Sequence, residues 1–328
     1  MEKGYYRELG KTGIRLSPVG LGCWQFSKGQ GAVGKYWDSI EDETMTSIVK
    51  TSLEGGINWF DTAEVYGKGA SEQALAASLD KLDVPFEDAL IATKWWPMLR
   101  NADSLVNTIE ARKDALNQRP ISLYQIHQPF SYSSVRRQME KMAKLYRDGH
   151  IGAVGVSNFS VKKMIEAHDV LAEYDIPLAS NQVKYSLLDR SIETNGLLEE
   201  ARKRSIAIIA YSPLEQGLLT GKFHHDPDRI KLSKGPRKWL GWFKKEGLER
   251  SQPLIDVLEH YADQYQVSVS EIVLNWMIHF HQEQFFVIPG ASRVEQAEAN
   301  AHSMNFELHQ KELDLISETA WDVLDRKK

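Results

Sequence analysis

Short apolar runs rich in valine, isoleucine and alanine alternate along the chain with longer segments whose apolar residues recur at helical spacing. In the first half the runs at 18–23, 57–61, 89–94 and 122–127 are followed by helical patterns at 42–54, 71–79, 102–118 and 133–147. The second half has runs at 153–158, 179–185, 207–212 and 285–290, with helices expected at 160–173, 194–204, 251–265 and 293–301. Strands apolar over their whole length are buried on both faces, and strict strand-then-helix alternation sets them side by side in a parallel sheet. Eight such units close a barrel, so the expected fold is α/β, a (β/α)8 TIM barrel made as one domain over 1–328. A hairpin over 5–16, turning at Lys11-Thr12-Gly13, is expected to plug the barrel bottom, and 309–323 to form a closing helix. The long stretch 215–250 after strand 7 exceeds a plain connection and is read as a binding loop or lid.

Composition narrows the possible roles. The chain is 42% hydrophobic and 26% charged, an ordinary globular balance. A net charge of -5 offers no broad basic field, which argues against nucleic acid or an anionic membrane as partner. Cys23 is the single cysteine, so no internal disulfide can form, and no Cys/His cluster has the spacing of a zinc site. No metal is expected. The first residues lack an apolar signal core and no stretch approaches the roughly 20 apolar residues that a bilayer requires. A soluble, cytoplasmic protein is expected.

Chemistry gathers at the strand ends, where barrels of this kind build their sites. Asp61, Lys94, His127, the pair Ser157 and Asn158, Gln182, and Tyr211 with Ser212 all fall there. One polar strand end is ordinary, because a strand must emerge into solvent; polar groups at most of the ends are not. Asp61, Lys94 and His127 come from successive strands, and Tyr66 follows Asp61 in the next loop. Buried together, Asp61 would keep Lys94 charged, and Lys94 would lower the Tyr66 pKa from its usual value of about 10. Tyr66 is then suited to act as a general acid, with His127 orienting a carbonyl oxygen. Two rival readings exist. The sequence GQGAVG over 29–34 has the glycine spacing of a dinucleotide fingerprint, but KYWDSIEDE intervenes before helical spacing begins, so a loop over the barrel mouth is expected. Lys94 would also suit a Schiff-base aldolase, except that Asp61 would hold its amine protonated.

The stretches FDTAEVYG, IATK, YQIH, GVSNF, NQVKYSLL, AYSPLEQGLLTGK and IPGASRVEQAEAN occur in that order over nearly the whole chain. Together they resemble the aldo-keto reductase superfamily, and most of all its bacterial branch that is also similar to the β-subunits of voltage-gated potassium channels. The resemblance implies that Asp61, Tyr66, Lys94 and His127 form a catalytic tetrad. It also implies hydride transfer from NADPH to the carbonyl group of a small aldehyde or ketone, with Tyr66 as proton donor.

For the cofactor, Ser157, Asn158 and Gln182 are implied to hold the nicotinamide amide and Tyr211 to stack on its ring. The loop residues Ser212, Pro213, Leu214, Gln216 and Gly217, with Gly290 after the eighth strand, are expected to approach the phosphates. Lys222, Ser292 and Arg293 would bind an adenosine 2′-phosphate, favouring NADPH over NADH, and Arg237 would close over the phosphates. Gln296 and Asn300 match adenine-side positions. Ala299 stands where relatives often carry a carboxylate that helps hold adenine, which predicts weaker contacts there. Trp24, Trp95 and Trp96 are expected to line the substrate pocket, with Phe130, Trp239 and Trp242 nearby, and an apolar or aromatic carbonyl is the expected substrate. A monomer is expected. The likeness to channel subunits leaves a second role open, that of an NADP(H)-binding, redox-sensing partner subunit with slow turnover.

Overall fold

The computed structural model describes residues 5–31, 39–232 and 239–325. A two-stranded antiparallel hairpin pairs β1 (Arg7–Glu8) with β2 (Arg15–Leu16). Eight further strands follow: β3 (Leu21–Gly22), β4 (Trp59–Asp61), β5 (Leu90–Trp95), β6 (Ile121–Ile126), β7 (Val154–Ser157), β8 (Leu178–Lys184), β9 (Ala207–Tyr211) and β10 (Phe285–Val287). They lie in chain order in one sheet and every neighbouring pair is parallel. Backbone bridges Val19–Val287 and Gly22–Gly290 join its two edges, with the Gly22 N–H donating to the Pro289 carbonyl at 2.9 Å. The sheet is therefore closed, a (β/α)8 barrel with helices between the strands.

Side chains alternate across each strand, so the barrel has an inner and an outer core. The inner layer holds Trp59, Ala92, Leu123, Ala153, Ala179, Ile209 and Phe286, and the hairpin adds Leu9 and Leu16 to it. Small alanines share this layer with the large Trp59 and Phe286, a mixture of sizes suited to a narrow cylinder. The outer residues, such as Ile91, Tyr124, Val156 and Ile208, pack under the helices. Arg7, buried in the hairpin, donates to the Ile278, Gln282 and Phe285 carbonyls at 2.6, 2.8 and 2.9 Å. It ties the plug to carbonyls at the end of one helix and the start of β10.

The helices match the periodic segments at 42–54 (Asp42–Glu54), 71–79 (Ala70–Lys81), 133–147 (Val135–Arg147), 160–173 (Val161–Ala172), 293–301 (Val294–His302) and 309–323 (Gln310–Asp325). Three expectations need correction. The single helix over 102–118 is two pieces, Asp103–Asn107 and Ile109–Ala115, broken at Thr108. That over 194–204 begins at Leu197, because Gly196 precedes it in a left-handed conformation; Ser191–Thr194 is a separate turn. The helix Val269–Phe280 has no counterpart among the periodic segments. Its Ile272, Val273, Leu274, Trp276, Met277 and Ile278 are all buried, so the apolar stripe that betrays a surface helix is absent. The long stretch 215–250 carries short turns at Glu215–Thr220, Lys222–His225, Asp228–Leu232 and Gly241–Phe243, then joins a helix that starts at Lys245.

Candidate active site

A cavity of about 370 Å³ opens at the C-terminal ends of the strands and reaches Asp61, Tyr66 and His127. Asp61 ends β4 and Lys94 lies one residue from the end of β5, and register aligns these strands so that both side chains point inward. Each is almost wholly buried, and they form an ion pair. The Lys94 ammonium also donates to the Thr62 carbonyl at 2.8 Å and lies 5.0 Å from the Tyr66 ring centre. The other Asp61 oxygen accepts from Gln182 Nε2 at 2.8 Å and Gln125 Nε2 at 3.2 Å. A buried charge pair is tolerable only when its remaining lone pairs and protons are satisfied, and these amides do that.

The electrostatics follow from this packing. Burial alone would push the Lys94 pKa down, but attraction to Asp61, with help from Tyr66, reverses this and holds it above the usual lysine value. The ammonium is thus protonated throughout the neutral range, as the sequence predicts, and the Schiff-base chemistry of a neutral amine does not suit it. Tyr66 departs from expectation. Burial raises its pKa, and the charge of Lys94 pulls it back only part of the way, so the phenol stays above its ordinary value rather than below it. His127 is driven well below the usual histidine value, by burial first and then by Lys94. A neutral imidazole therefore faces the cavity, with its rings edge-on to Tyr66 at 5.6 Å and Trp96 at 5.1 Å.

Ser157, Asn158, Gln182, Tyr211, Ser212, Pro213, Leu214, Gln216, Gly217, Lys222, Gly290, Ser292 and Gln296 line the same cavity. The Tyr211 hydroxyl donates to Asn158 Oδ1 at 3.0 Å, which fixes both at the rim. Asn158, Ser212, Glu215 and Gln216 all have positive φ near 43–59°, costly for residues with a β-carbon and typical of functional loops. Glu215 is buried and anchors this loop, accepting from Lys184 at 2.9 Å and Ser186 at 3.0 Å. Gly217, at φ 89°, has the Lys222 ammonium 3.1 Å from where a β-carbon would sit, so the lysine lies directly on the loop backbone. Gly217 and Lys222 thus form one cradle, and Ser292, whose hydroxyl donates to Gln296 Oε1 at 3.0 Å, lines the same cavity. Arg293 is exposed at the N-cap of helix Val294–His302, close by in sequence but outside the cavity wall. Asn300 is buried beneath it, bonded to the Gly290 carbonyl at 3.5 Å. Arg237 lies outside the described residues, as do positions 32–34 of the GQGAVG segment.

Of the aromatic residues, Trp24 and Trp96 line the cavity, Trp24 stacked on Tyr66 with ring centres 5.9 Å apart. Trp95 does not. It is fully buried on the outer face of β5 and donates to Ser104 Oγ at 3.0 Å, the consequence of its odd register relative to Lys94. Phe130 packs edge-on against Trp96 at 5.8 Å, whereas Trp239 is exposed and Trp242 lies under the Arg250 guanidinium at 4.1 Å. Gln182 lines the cavity while its amide nitrogen donates to Asp61 at 2.8 Å and to Gln125 Oε1 at 3.4 Å. Gln125 joins the site without a place in the sequence-based set, although its position two residues before His127 puts it on the same strand face. Glu64 and Arg100 were missed as well: paired with each other, they bind the N–H and carbonyl of Trp96 and hold that wall in place.

A buried carboxylate–ammonium pair, a phenol and a neutral imidazole at the C-terminal mouth of a parallel barrel mark an enzyme site. The chain belongs to the Aldo/keto reductase family, whose model matches residues 18–320, and is an oxidoreductase of that family. An uncharacterized oxidoreductase of Mycobacterium tuberculosis is 33% identical over 308 residues, covering 93% of this chain and 90% of the relative. The NADH-specific methylglyoxal reductase of Escherichia coli is 30% identical over 346 residues, covering 97% and 98%. Among solved structures, the glycerol dehydrogenase of Gluconobacter oxydans superposes with a TM-score of 0.81 at 27% identity, covering 99% of this chain and 96% of that one.

Proposed function

We propose that this protein reduces the carbonyl group of a small aldehyde or ketone to an alcohol with NADPH, Tyr66 donating the proton. The observation that carries this reading is the convergence of Lys94, Asp61, Tyr66 and His127 on one cavity that continues into the Gly217–Lys222 cradle. Bound there, the reduced nicotinamide would supply a hydride to the carbonyl carbon. The residues of the chain do the rest. Neutral His127 donates an N–H to the carbonyl oxygen and orients it. Tyr66, protonated because burial holds its pKa up, delivers its proton to that oxygen as negative charge develops there. Lys94, kept charged by Asp61, stabilises the phenolate left behind. Ser157 and Asn158 offer the hydroxyl and amide that suit a carboxamide, and Tyr211 offers a ring face beside them. Trp24 and Trp96 provide an apolar wall for the substrate.

The preference for NADPH rests on Lys222, Ser292 and Arg293, whose cationic and hydroxyl groups suit a 2′-phosphate. A relative named for NADH specificity makes the test worthwhile. Mixing the protein with either dinucleotide and a panel of aldehydes, and following absorbance of the reduced nicotinamide, should show many turnovers, faster with NADPH. Arg293→Ala should weaken NADPH binding by about tenfold or more and leave NADH binding nearly unchanged. Equal losses would remove the case for phosphate selectivity, and a single slow turnover with retained cofactor would favour a sensing role.

A further inference from the structure

Five rings follow one another around the catalytic end of the cavity: Trp24 on Tyr66 at 5.9 Å, Tyr66 on His127 at 5.6 Å, His127 on Trp96 at 5.1 Å and Trp96 on Phe130 at 5.8 Å. A carbonyl held by Tyr66 and His127 therefore has Trp24 beside one of its partners and Trp96 beside the other. Trp96 stands just past the end of β5, beyond the last ladder bond, which the His127 N–H donates to the Trp95 carbonyl at 3.0 Å. One ion pair takes over where the ladder stops. Glu64, three residues after Asp61 on the loop that carries Tyr66, accepts from the Trp96 N–H through the oxygen that also pairs with Arg100 Nη1. The same Nη1 donates to the Trp96 carbonyl at 3.1 Å, so both backbone polar groups of Trp96 are satisfied by this pair. Arg100 is itself fixed, donating from Nε to Ser104 Oγ at 3.0 Å and from Nη2 to Thr108 Oγ1 at 2.8 Å, while its carbonyl accepts from the Tyr132 N–H at 3.1 Å. These bonds hold a turn in which Leu99 has a φ of 57°, costly for a residue with a β-carbon. Behind the pair, Arg112 lies 3.8 Å from the other Glu64 oxygen and pairs with buried Glu72, which accepts from Thr93 Oγ1 at 2.6 Å. Two carboxylates thus balance two guanidiniums, and neither Glu64 nor Arg100 lines the cavity.

We propose that Glu64 and Arg100 are positioning residues that set substrate specificity from outside the pocket, by holding Trp96 edge-on to His127 so that a flat aromatic aldehyde is favoured over a branched aliphatic one. The inference rests on the reading that this cavity reduces carbonyl compounds. An apolar wall discriminates by shape only as far as it is rigid, because a wall that gives way admits both shapes. Fixed aromatic rings offer a flat substrate ring offset and edge contacts. A tertiary alkyl group, wide in every direction, reaches the same carbonyl position only if Trp96 moves. Arginine suits the task because its planar fork serves a carboxylate, a carbonyl and two hydroxyls at once, which a lysine cannot do.

The test compares kcat and KM for benzaldehyde and trimethylacetaldehyde in wild type, Glu64→Gln, Arg100→Met and the double variant, with the Kd for NADP+ measured by calorimetry. Wild type should favour benzaldehyde. In each variant the ratio of kcat/KM for benzaldehyde to that for trimethylacetaldehyde should fall about tenfold, mostly as a raised KM for benzaldehyde. The NADP+ Kd should stay within about twofold of wild type, since the pair touches no wall of the Gly217–Lys222 cradle. The double variant should be little worse than either single one, because the grip on Trp96 needs both partners. Should a single variant fail to fold by circular dichroism, the double variant, which loses one charge of each sign, carries the comparison. Equal losses for the two aldehydes, an unchanged ratio, or a wild type that favours trimethylacetaldehyde would overturn the role of the pair in specificity. A wild type that reduces no aldehyde would instead defeat the reading on which the inference stands.

Discussion

At the residue scale the site depends on which electrostatic effect wins at each group. Burial dominates at Tyr66 and His127, and the ion pair dominates at Lys94. A proton donor must hold its proton, so a raised Tyr66 pKa keeps it competent up to alkaline pH, and the capacity is lost as pH rises through that raised value. His127, depressed well below 6.5, stays neutral through the pH at which an ordinary histidine would charge. Aldehyde reduction should therefore be flat in kcat/KM from about pH 6 to about pH 9 and fall only at the alkaline end. Asp61→Asn removes the attraction that raises the Lys94 pKa, so burial would win there and the alkaline fall should move to lower pH. A pH–rate profile of both proteins checks this; a wild-type inflection near 6.5 would show that His127 titrates as an ordinary histidine. Asp61, Lys94, Tyr66 and His127 were legible because polar residues at the ends of apolar runs stand out. The net direction of the Tyr66 shift was not legible, because the sequence names the charges near a group and not how completely water is excluded from it.

At the scale of elements, the strand positions came from their apolar runs and most helices from their periodicity. Helix Val269–Phe280 shows where that signal stops. It is buried on most of its surface, with the Trp276 indole donating to the Leu313 carbonyl at 2.9 Å, so no polar face alternates with an apolar one. Another mark was present: Ser268 and Glu271 form a capping box, with the Ser268 N–H donating to Glu271 Oε2 at 2.7 Å and the Glu271 N–H reaching Ser268 Oγ at 3.4 Å. Removing it by Ser268→Ala should cost about 1 kcal/mol, read as a lower urea midpoint with an unchanged slope. No change in midpoint would mean that packing alone sets the start of this helix. Trp95 teaches the same lesson about registers. It follows Lys94 directly, and the period of two that turns Lys94 into the barrel turns Trp95 out of it.

At the scale of the whole molecule, closing the barrel is what brings distant residues together. The seam between β3 and β10 places Gln25 on Gly290, while Asp61 and Gln182, 121 positions apart, meet through the barrel interior. Such contacts have no local signature, which is why the Glu64–Arg100 pair could not be read from the chain. Among the described residues no group of histidine, cysteine or acidic side chains is placed to hold a metal, and no helix is long and apolar enough to cross a membrane. The barrel sets its chemistry by enclosing one ammonium, one carboxylate, one phenol and one imidazole at its mouth. The most direct measurement replaces Tyr66 by Phe, which keeps the ring that packs on Trp24 and removes only the hydroxyl group. NADPH should bind to the variant about as tightly as to wild type, while aldehyde reduction falls by about 10²–10⁴-fold. A Tyr66→Phe protein that reduces aldehydes at the wild-type rate would contradict the assignment of this cluster as the proton-donating site.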